Sequence, residues 1–98
     1  MVSVLNDDVI ARKLGELPGW KRDGQCIVRD LTCTDFRSAL QLVNTVGELA
    51  EQADHHPDIL IHSWNRVRII LSTHSAGGLT EKDFELAALI EKAVQTGS

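Results

Sequence analysis

The sequence predicts an α+β fold in which three helices pack on one face of a four-stranded antiparallel sheet. Three segments, within residues 6–17, 34–54 and 80–94, space their apolar residues at helical intervals. Pairs of short segments with the composition or the alternation of strands lie between them. The elements therefore run α-β-β-α-β-β-α, and residues 1–98 are expected to form a single domain with one core.

Composition argues against several classes of protein. The chain is 43% hydrophobic and 24% charged, and no apolar run approaches the roughly 20 residues that span a bilayer. The amino-terminal residues show neither a basic leader nor a long apolar segment, so we expect a cytoplasmic protein without a membrane association. A net charge of −4 with scattered basic residues argues against direct nucleic-acid binding. Cys26 and Cys33 lack CxxC spacing and are expected to be free thiols.

The first helix and the first hairpin are delimited by their end signals. Asn6 is expected to cap the helix, which continues to about Leu17 and stops at Pro18-Gly19. Two strands, residues 20–22 and 25–31, then flank Asp23-Gly24. This dipeptide accepts the positive φ angles of a tight hairpin turn.

The long central helix has an apolar stripe at helical spacing. With Thr34 as its expected cap it runs to about Asp54, and its predicted core face consists of Phe36, Ala39, Leu40, Val43, Val46, Ala50 and Ala53. Leu42 and Leu49 lie off this stripe. They either form a second apolar edge for a partner subunit or belong to the core of the same chain.

Residues 58–72 alternate in the manner of two strands joined by a hairpin. Apolar side chains occupy odd-numbered positions, namely Ile59, Ile61, Val67, Ile69 and Leu71. A turn centred near Asn65 would pair residues whose numbers sum to about 130, which sets Ile59 opposite Leu71 and His56 opposite His74. His62 would then lie near the turn, opposite Arg68 and at the surface.

The last helix is predicted to start after the loop formed by residues 75–78. Thr80 can cap it, and acidic residues follow in its first turn. Its expected core stripe consists of Phe84, Ala87, Ala88, Ile90 and Val94.

Three of the four histidines fall in two short motifs, Asp54-His55-His56-Pro57 and Ser72-Thr73-His74. Imidazole has an unperturbed pKa of about 6.5 and can donate or accept a proton near neutral pH. The cluster therefore indicates a reaction that needs an acid and a base. Two other interpretations stay open: helix-end histidines that only cap carbonyl groups, and a metal site, which adjacent residues seldom form because both rings rarely reach one ion.

A longer set of residues resembles a known family. It comprises residues 51–58 (EQADHHPD), 67–69 (VRI), 71–74 (LSTH) and 78–83 (GLTEKD). This combination is similar to that of the pterin-4a-carbinolamine dehydratases and is more specific than a bare His-His pair. The resemblance is strongest over about residues 47–94 and extends upstream to Pro18-Gly19-Trp20.

The resemblance implies an activity and partners. Members of this family are α+β proteins that form dimers or tetramers and convert 4a-hydroxytetrahydropterin to quinonoid dihydropterin and water, which recycles the cofactor of aromatic amino acid hydroxylases. We therefore expect a 4a-hydroxytetrahydrobiopterin dehydratase that acts on a pterin, forms a homodimer or homotetramer, and uses no cofactor and no metal. A functional link to an aromatic amino acid hydroxylase is a further expectation.

The resemblance also implies roles for individual residues. His55 and His74 are the expected proton-transfer groups and His56 the substrate-positioning group, although the two adjacent histidines could exchange roles. Glu51 and Asp54 could orient an imidazole or raise its basicity, and Asp83 could act similarly or only cap the last helix. The residues expected to contact the pterin are Pro57, Thr73, Ser75, Ala76 and Trp20, with the core as an alternative place for Trp20.

One departure and one alternative complete the interpretation. The interval from His56 to Trp64 is one residue longer than in the animal-type pattern, and we expect the extra residue in the hairpin turn. A non-catalytic binding or assembly module, or a transcriptional coactivator, could keep the same fold. The presence of all three motif histidines with acidic neighbours favours the enzyme.

Overall fold

The computed structural model describes residues 3–97 and contains three helices and one four-stranded antiparallel sheet. The elements are α1 (Asp7–Gly15), β1 (Trp20–Asp23), β2 (Cys26–Thr32), α2 (Phe36–Ala53), β3 (Asp58–His62), β4 (Arg66–Leu71), a short 3-10 helix (His74–Ala76) and α3 (Glu81–Gly97). The predicted fold class and the order of the elements are confirmed. Within the described residues, no helix combines the length and the apolar character needed to cross a membrane.

The helix caps agree with the predictions at α1 and differ at α2. The backbone N–H of Val9 donates to Asn6 Oδ1 at 3.0 Å, so the predicted first cap is confirmed, although α1 ends at Gly15, before Leu17. The predicted cap Thr34 is wrong by one residue, because Asp35 accepts the N–H of Ser38 at 2.8 Å. Bonding to the backbone of Ser38 lowers the pKa of the Asp35 carboxyl.

The buried stripe of α2 agrees in part with the prediction. Ala39, Val46 and Ala50 are buried as predicted, and Leu42 is buried with them. Phe36 and Leu40, predicted in the core, are 47% and 43% exposed, whereas Leu42 is 6% exposed and belongs to the core of the same chain. A similar exchange occurs in α3, where Ala88 is exposed and Leu86 is buried.

The strands lie in the order β1-β2-β4-β3, with every neighbouring pair antiparallel. In the β3–β4 hairpin Ile59 pairs with Ile69 and Ile61 with Val67, so the predicted register is wrong by two residues. A shift of two keeps every side chain on its face of the sheet. Ile69 and Leu71 are therefore fully buried as predicted, but His56 and His74 are not cross-strand partners.

The turn of this hairpin explains the shift. Ser63 and Trp64 both adopt positive φ angles, 51° and 73°, and Asn65 follows them before β4. Asn65 also joins the turn to Cys33, the residue that follows β2. Its side chain donates to the carbonyl of Cys33 at 2.9 Å, and its own carbonyl accepts the N–H of Cys33 at 2.7 Å. His62 consequently pairs with Arg66, and the predicted pairing with Arg68 is wrong.

The core lies between the helices and the face of the sheet that carries the odd-numbered residues of β4. A partly buried polar cluster links β1 and β2 to α3. Glu91 Oε1 accepts the indole N–H of Trp20 at 2.9 Å and Nε–H of Arg29 at 2.8 Å, and Glu91 Oε2 accepts a second Arg29 N–H at 3.2 Å. Both charged side chains are mostly buried, so this ion pair joins α3 to the first hairpin.

Candidate active site

His55 leaves α2 through a turn that fixes its position. Asp54 adopts a left-handed conformation (φ 50°, ψ 43°), and the N–H of His55 returns to the carbonyl of Ala50 at 3.1 Å. This is the Schellman arrangement of a helix end, and aspartate is among the few residues other than glycine that tolerate it. The carboxylate of Asp54 forms no hydrogen bond with a described residue, so the contribution of Asp54 seen here is the backbone turn.

Asp83 joins His55 to two threonines inside the protein. Its Oδ1 lies 2.6 Å from Nε2 of His55. Its Oδ2 accepts the hydroxyl of Thr73 at 2.8 Å and the backbone N–H of Thr80 at 2.9 Å. Asp83 is fully buried and the His55 side chain is 11% exposed. One carboxylate thus caps α3 and holds an imidazole, the two roles that the sequence had left as alternatives.

The hydrogen bonds assign the proton on neutral His55. A carboxylate can only accept hydrogen bonds, so Nε2 of His55 carries the hydrogen that faces Asp83. The remaining nitrogen, Nδ1, is then the acceptor in the neutral ring. An imidazole held in this way has one defined nitrogen available to a ligand.

His56 forms a second pair with a carboxylate on the surface. Its Nε2 lies 2.6 Å from Oε1 of Glu51, in the last turn of α2, and the side chains of His56 and Glu51 are 57% and 74% exposed. The structure therefore brings Glu51 into contact with an imidazole, as expected of a supporting residue. Water has access to both partners.

His74 is exposed and begins the short 3-10 helix. The carbonyl of Thr73 accepts the N–H groups of Ala76 and Gly77 at 3.0 and 3.1 Å, and Gly77 has a φ of 78°, which a glycine adopts without strain. Thr73 also pairs with Gly78 across this loop. Because Thr73 is bonded to Asp83, the loop that carries His74 is attached to the same carboxylate as His55.

The expected pterin contacts differ in their accessibility. Ser75 is exposed, and Pro57 and Ala76 are half-buried, although the N–H of Ala76 is already bonded to Thr73. Thr73 is only 4% exposed and its hydroxyl is used within the protein. Trp20 is also 4% exposed. It offers no accessible wall to a ligand, so the core alternative is the correct one for Trp20.

Thr80 is a member of this cluster that the sequence identified only as a cap. Its hydroxyl lies 2.7 Å from that of Thr73, and the side chain is fully buried. The spacing of Thr80 and Asp83 predicts a helix start, but nothing local in it reveals that Asp83 has a partner 28 positions away along the chain. Among residues 3–97, no three His, Cys, Asp or Glu side chains are arranged to hold a metal ion.

Comparison with known proteins identifies the chain's relatives. Residues 3–93 match the family described as pterin 4 alpha carbinolamine dehydratase. A protein of Thermomicrobium roseum is 53% identical over 83 residues, which cover 85% of this chain and 88% of that protein. A protein of Roseiflexus castenholzii is 49% identical over 94 residues, which cover 96% of this chain and 100% of that protein. Both have been named provisionally as pterin-4-alpha-carbinolamine dehydratases.

Two solved structures share the fold. A transcriptional coactivator/pterin dehydratase from Brucella melitensis superposes with a TM-score of 0.85 at 30% identity, covering 92% of this chain and 97% of that one. A pterin dehydratase-like protein identified as a RuBisCO assembly factor in the alpha-carboxysome has a TM-score of 0.63 at 19% identity, covering 82% and 92%. Its similarity to this chain concerns the fold alone. On the family match and the identity to these relatives, the chain belongs to the pterin-4a-carbinolamine dehydratase family of hydro-lyases.

Proposed function

We propose that this protein dehydrates 4a-hydroxytetrahydrobiopterin by general acid and base catalysis from its histidines. Carbon 4a of the substrate carries a hydroxyl group and the neighbouring N5 carries a hydrogen. The C4a–O bond breaks as the oxygen is protonated, N5 loses its hydrogen, and the products are quinonoid dihydropterin and water. The observation that carries this proposal is the buried pair of His55 and Asp83, which leaves one ring nitrogen of His55 free.

His55 and His74 are the proposed proton-transfer groups. Nδ1 of His55 exchanges a proton with one of the two reacting atoms, N5 or the departing oxygen. The exposed ring of His74 exchanges a proton with the other. His56 is proposed to position the pterin, and its role and that of His55 could be exchanged. Ser75 and Ala76 are proposed to contact the ring from the loop, and Pro57 from the start of β3.

The chemistry is within the reach of such groups. Eliminating water changes no oxidation state overall, so this scheme requires no redox cofactor, and two imidazoles can supply both proton transfers. Positioned general acid–base catalysis typically contributes about 10²- to 10⁴-fold in rate. An acceleration of that size over the spontaneous dehydration is the expected effect of the histidines.

The first test is the dehydration rate of freshly generated 4a-hydroxytetrahydropterin, followed by ultraviolet absorbance. The wild-type protein should accelerate the reaction, and the His55→Ala/His74→Ala double variant should leave it near the spontaneous rate. The matched control is His62→Ala, because His62 lies in the hairpin at the other end of β3 and contacts Ser63. Failure of the folded wild type to accelerate dehydration would refute the proposal.

A place in tetrahydrobiopterin recycling is part of the same proposal. The product, a quinonoid dihydropterin, must be reduced before it can serve a hydroxylase again. In an assay that couples an aromatic amino acid hydroxylase to a dihydropterin reductase, added wild-type protein should sustain turnover of a limiting amount of tetrahydropterin. The double variant should not.

A protein-binding role is a second candidate. It is favoured by the similarity to the Brucella melitensis protein, which is described as a transcriptional coactivator as well as a pterin dehydratase. This chain also exposes Phe36 and Leu40 on one side of α2, and apolar side chains exposed side by side can join a partner or a second copy.

We propose a homodimer or homotetramer, to be measured by light scattering after gel filtration. A Phe36→Ser/Leu40→Ser variant with the same mass as wild type would exclude this face of α2 from self-association.

A further inference from the structure

We propose that Thr80 and Thr73 are positioning residues that orient Asp83 and, through it, determine which nitrogen of His55 meets the substrate. This inference rests on the function proposed above for His55. It concerns a row of buried groups formed by Thr80, Thr73, Asp83 and His55, here called the threonine chain. Its three interior residues, Thr80, Thr73 and Asp83, are between 0% and 4% exposed.

The direction of each hydrogen bond in the threonine chain follows from the number of hydrogens available. Thr73 has one hydroxyl hydrogen, and it points to Oδ2 of Asp83 at 2.8 Å. The oxygen of Thr73 must therefore accept at its 2.7 Å contact with Thr80, whose own hydroxyl hydrogen is the donor. Thr80 in turn accepts the backbone N–H of Lys82 at 3.2 Å. All hydroxyl dipoles thus point toward the carboxylate.

This direction has a consequence at the opposite oxygen of Asp83. Oδ2 is engaged by Thr73 and by the N–H of Thr80, so Oδ1 is the oxygen left for His55 at 2.6 Å. A carboxylate fixed by two donors on one side cannot rotate to follow the imidazole. His55 is therefore held with Nε2–H toward Asp83 and Nδ1 on the opposite side of the ring. Around metal-bound histidines, partners that orient an imidazole typically change affinity or activity by about 10- to 100-fold when removed, and we expect an effect in the same range here.

The threonine chain also links the two proposed proton-transfer groups. Thr73 immediately precedes His74, and its carbonyl closes the loop that carries this histidine. Loss of the hydroxyl of Thr80 should disturb Thr73 and Asp83 together. Helix capping alone would not require this, since a cap needs only an acceptor for a helix N–H.

The test compares Thr80→Val, which has nearly the same shape but no hydroxyl, with Thr80→Ser, which retains it. Thr80→Val should lower kcat about 10-fold, with KM changed less than about twofold, and Thr80→Ser should restore kcat to within about twofold of wild type. Asn6→Ala is the matched control, because it removes the cap of α1 and should leave kcat unchanged. Equal losses of kcat in Thr80→Val and Asn6→Ala would show a purely structural role and overturn the proposal, as would failure of Thr80→Ser to restore turnover.

A spectroscopic readout separates this inference from the proposed function. Two-bond proton–nitrogen NMR correlations of nitrogen-15-labelled protein, assigned with His55→Ala, should show neutral His55 in the wild type as the Nε2–H tautomer. Thr80→Val should show a mixture of tautomers. An Nδ1–H tautomer in the wild type, or an unchanged tautomer in a slowed Thr80→Val, would overturn the threonine chain. If Thr80→Val does not fold, Thr73→Val tests the next hydroxyl in the same way. If the wild type shows the expected tautomer but does not accelerate dehydration, the proposed function is refuted. The orienting role of the threonine chain is then still supported.

Discussion

The two histidine–carboxylate pairs of this protein have the same separation and different surroundings. His55 and Asp83 meet at 2.6 Å, as do His56 and Glu51. Asp83 is fully buried and receives two further hydrogen bonds, whereas the carboxylate of Glu51 is 74% exposed and, among the described residues, is bonded to His56 alone. Distance alone therefore does not rank the pairs. Burial determines how much each pair contributes to stability, because water competes for every partner at the surface and for none in the interior.

Asp83→Ala should have the largest effect on this comparison. It leaves the hydroxyl of Thr73 and the N–H of Thr80 without their acceptor inside the protein. Each buried donor left without an acceptor typically costs about 1–3 kcal/mol, and we expect a loss of that size or more in the free energy of unfolding, measured by urea denaturation. Glu51→Ala is the matched control and should lose less than about 1 kcal/mol. Equal losses in the two variants would remove the distinction between the pairs.

His55→Ala and His56→Ala should separate the pairs by their kinetics. If His55 transfers a proton, its loss should lower kcat about 100-fold or more. If His56 positions the pterin, its loss should raise KM more than it lowers kcat. Steady-state dehydration rates over a range of pterin concentrations provide both constants. The reverse result would exchange the roles of the two histidines and place the chemistry in the exposed pair.

Substitutions of Asp54 test the turn from which both histidines emerge. A left-handed conformation costs a non-glycine residue roughly 1–2 kcal/mol and is worst for a β-branched one. Asp54→Gly should therefore keep turnover and should keep or raise the free energy of unfolding. Asp54→Val should lower the free energy of unfolding by about 1–2 kcal/mol. Thermal or urea unfolding measures this. A large loss of turnover in stable Asp54→Gly would instead assign a role to the carboxylate.

Glu51→Gln should have the smallest effect on stability. The glutamine side chain can still accept a hydrogen bond from Nε2 of His56, and exposed pairs of this kind contribute about 0.2–1 kcal/mol. The contribution should also diminish as salt is added. Urea unfolding of wild type and variant at low and high ionic strength checks both statements. A salt-independent loss above that range would mean that the exposed pair is less accessible to water than its surface suggests.

The sequence predicted the elements better than their relative placement. Alternation assigned Ile69 and Leu71 to the buried face, and this remained correct despite a register error of two residues because the period of a strand is two. The turn itself could not be recognised, because Ser63 and Trp64 carry positive φ angles without the Asn-Gly or Asp-Gly signal that usually marks them.

The candidate site shows the same division between local and distant information. The His55-His56 motif and its neighbour Glu51 stand close together in the sequence and could be found there. Asp83 has two roles. Its place at the start of α3 can be recognised locally, whereas its contact with His55 depends on how α2 and α3 pack. Thr80 was recognised only as a cap. Its hydroxyl contact with Thr73, seven positions earlier, depends on the conformation of the intervening loop, which no motif in the sequence specifies.

The two tryptophans of this chain offer a practical consequence of the buried cluster around Glu91. Trp20 is 4% exposed with its indole N–H bound, whereas Trp64 is 62% exposed at the hairpin turn. Their fluorescence should differ accordingly: emission of Trp20 at shorter wavelength and protected from iodide, emission of Trp64 at longer wavelength and readily quenched. A Trp64→Phe protein would then carry a single optical probe at the junction of α3 with the first hairpin. Its red shift would report the opening of that junction during unfolding.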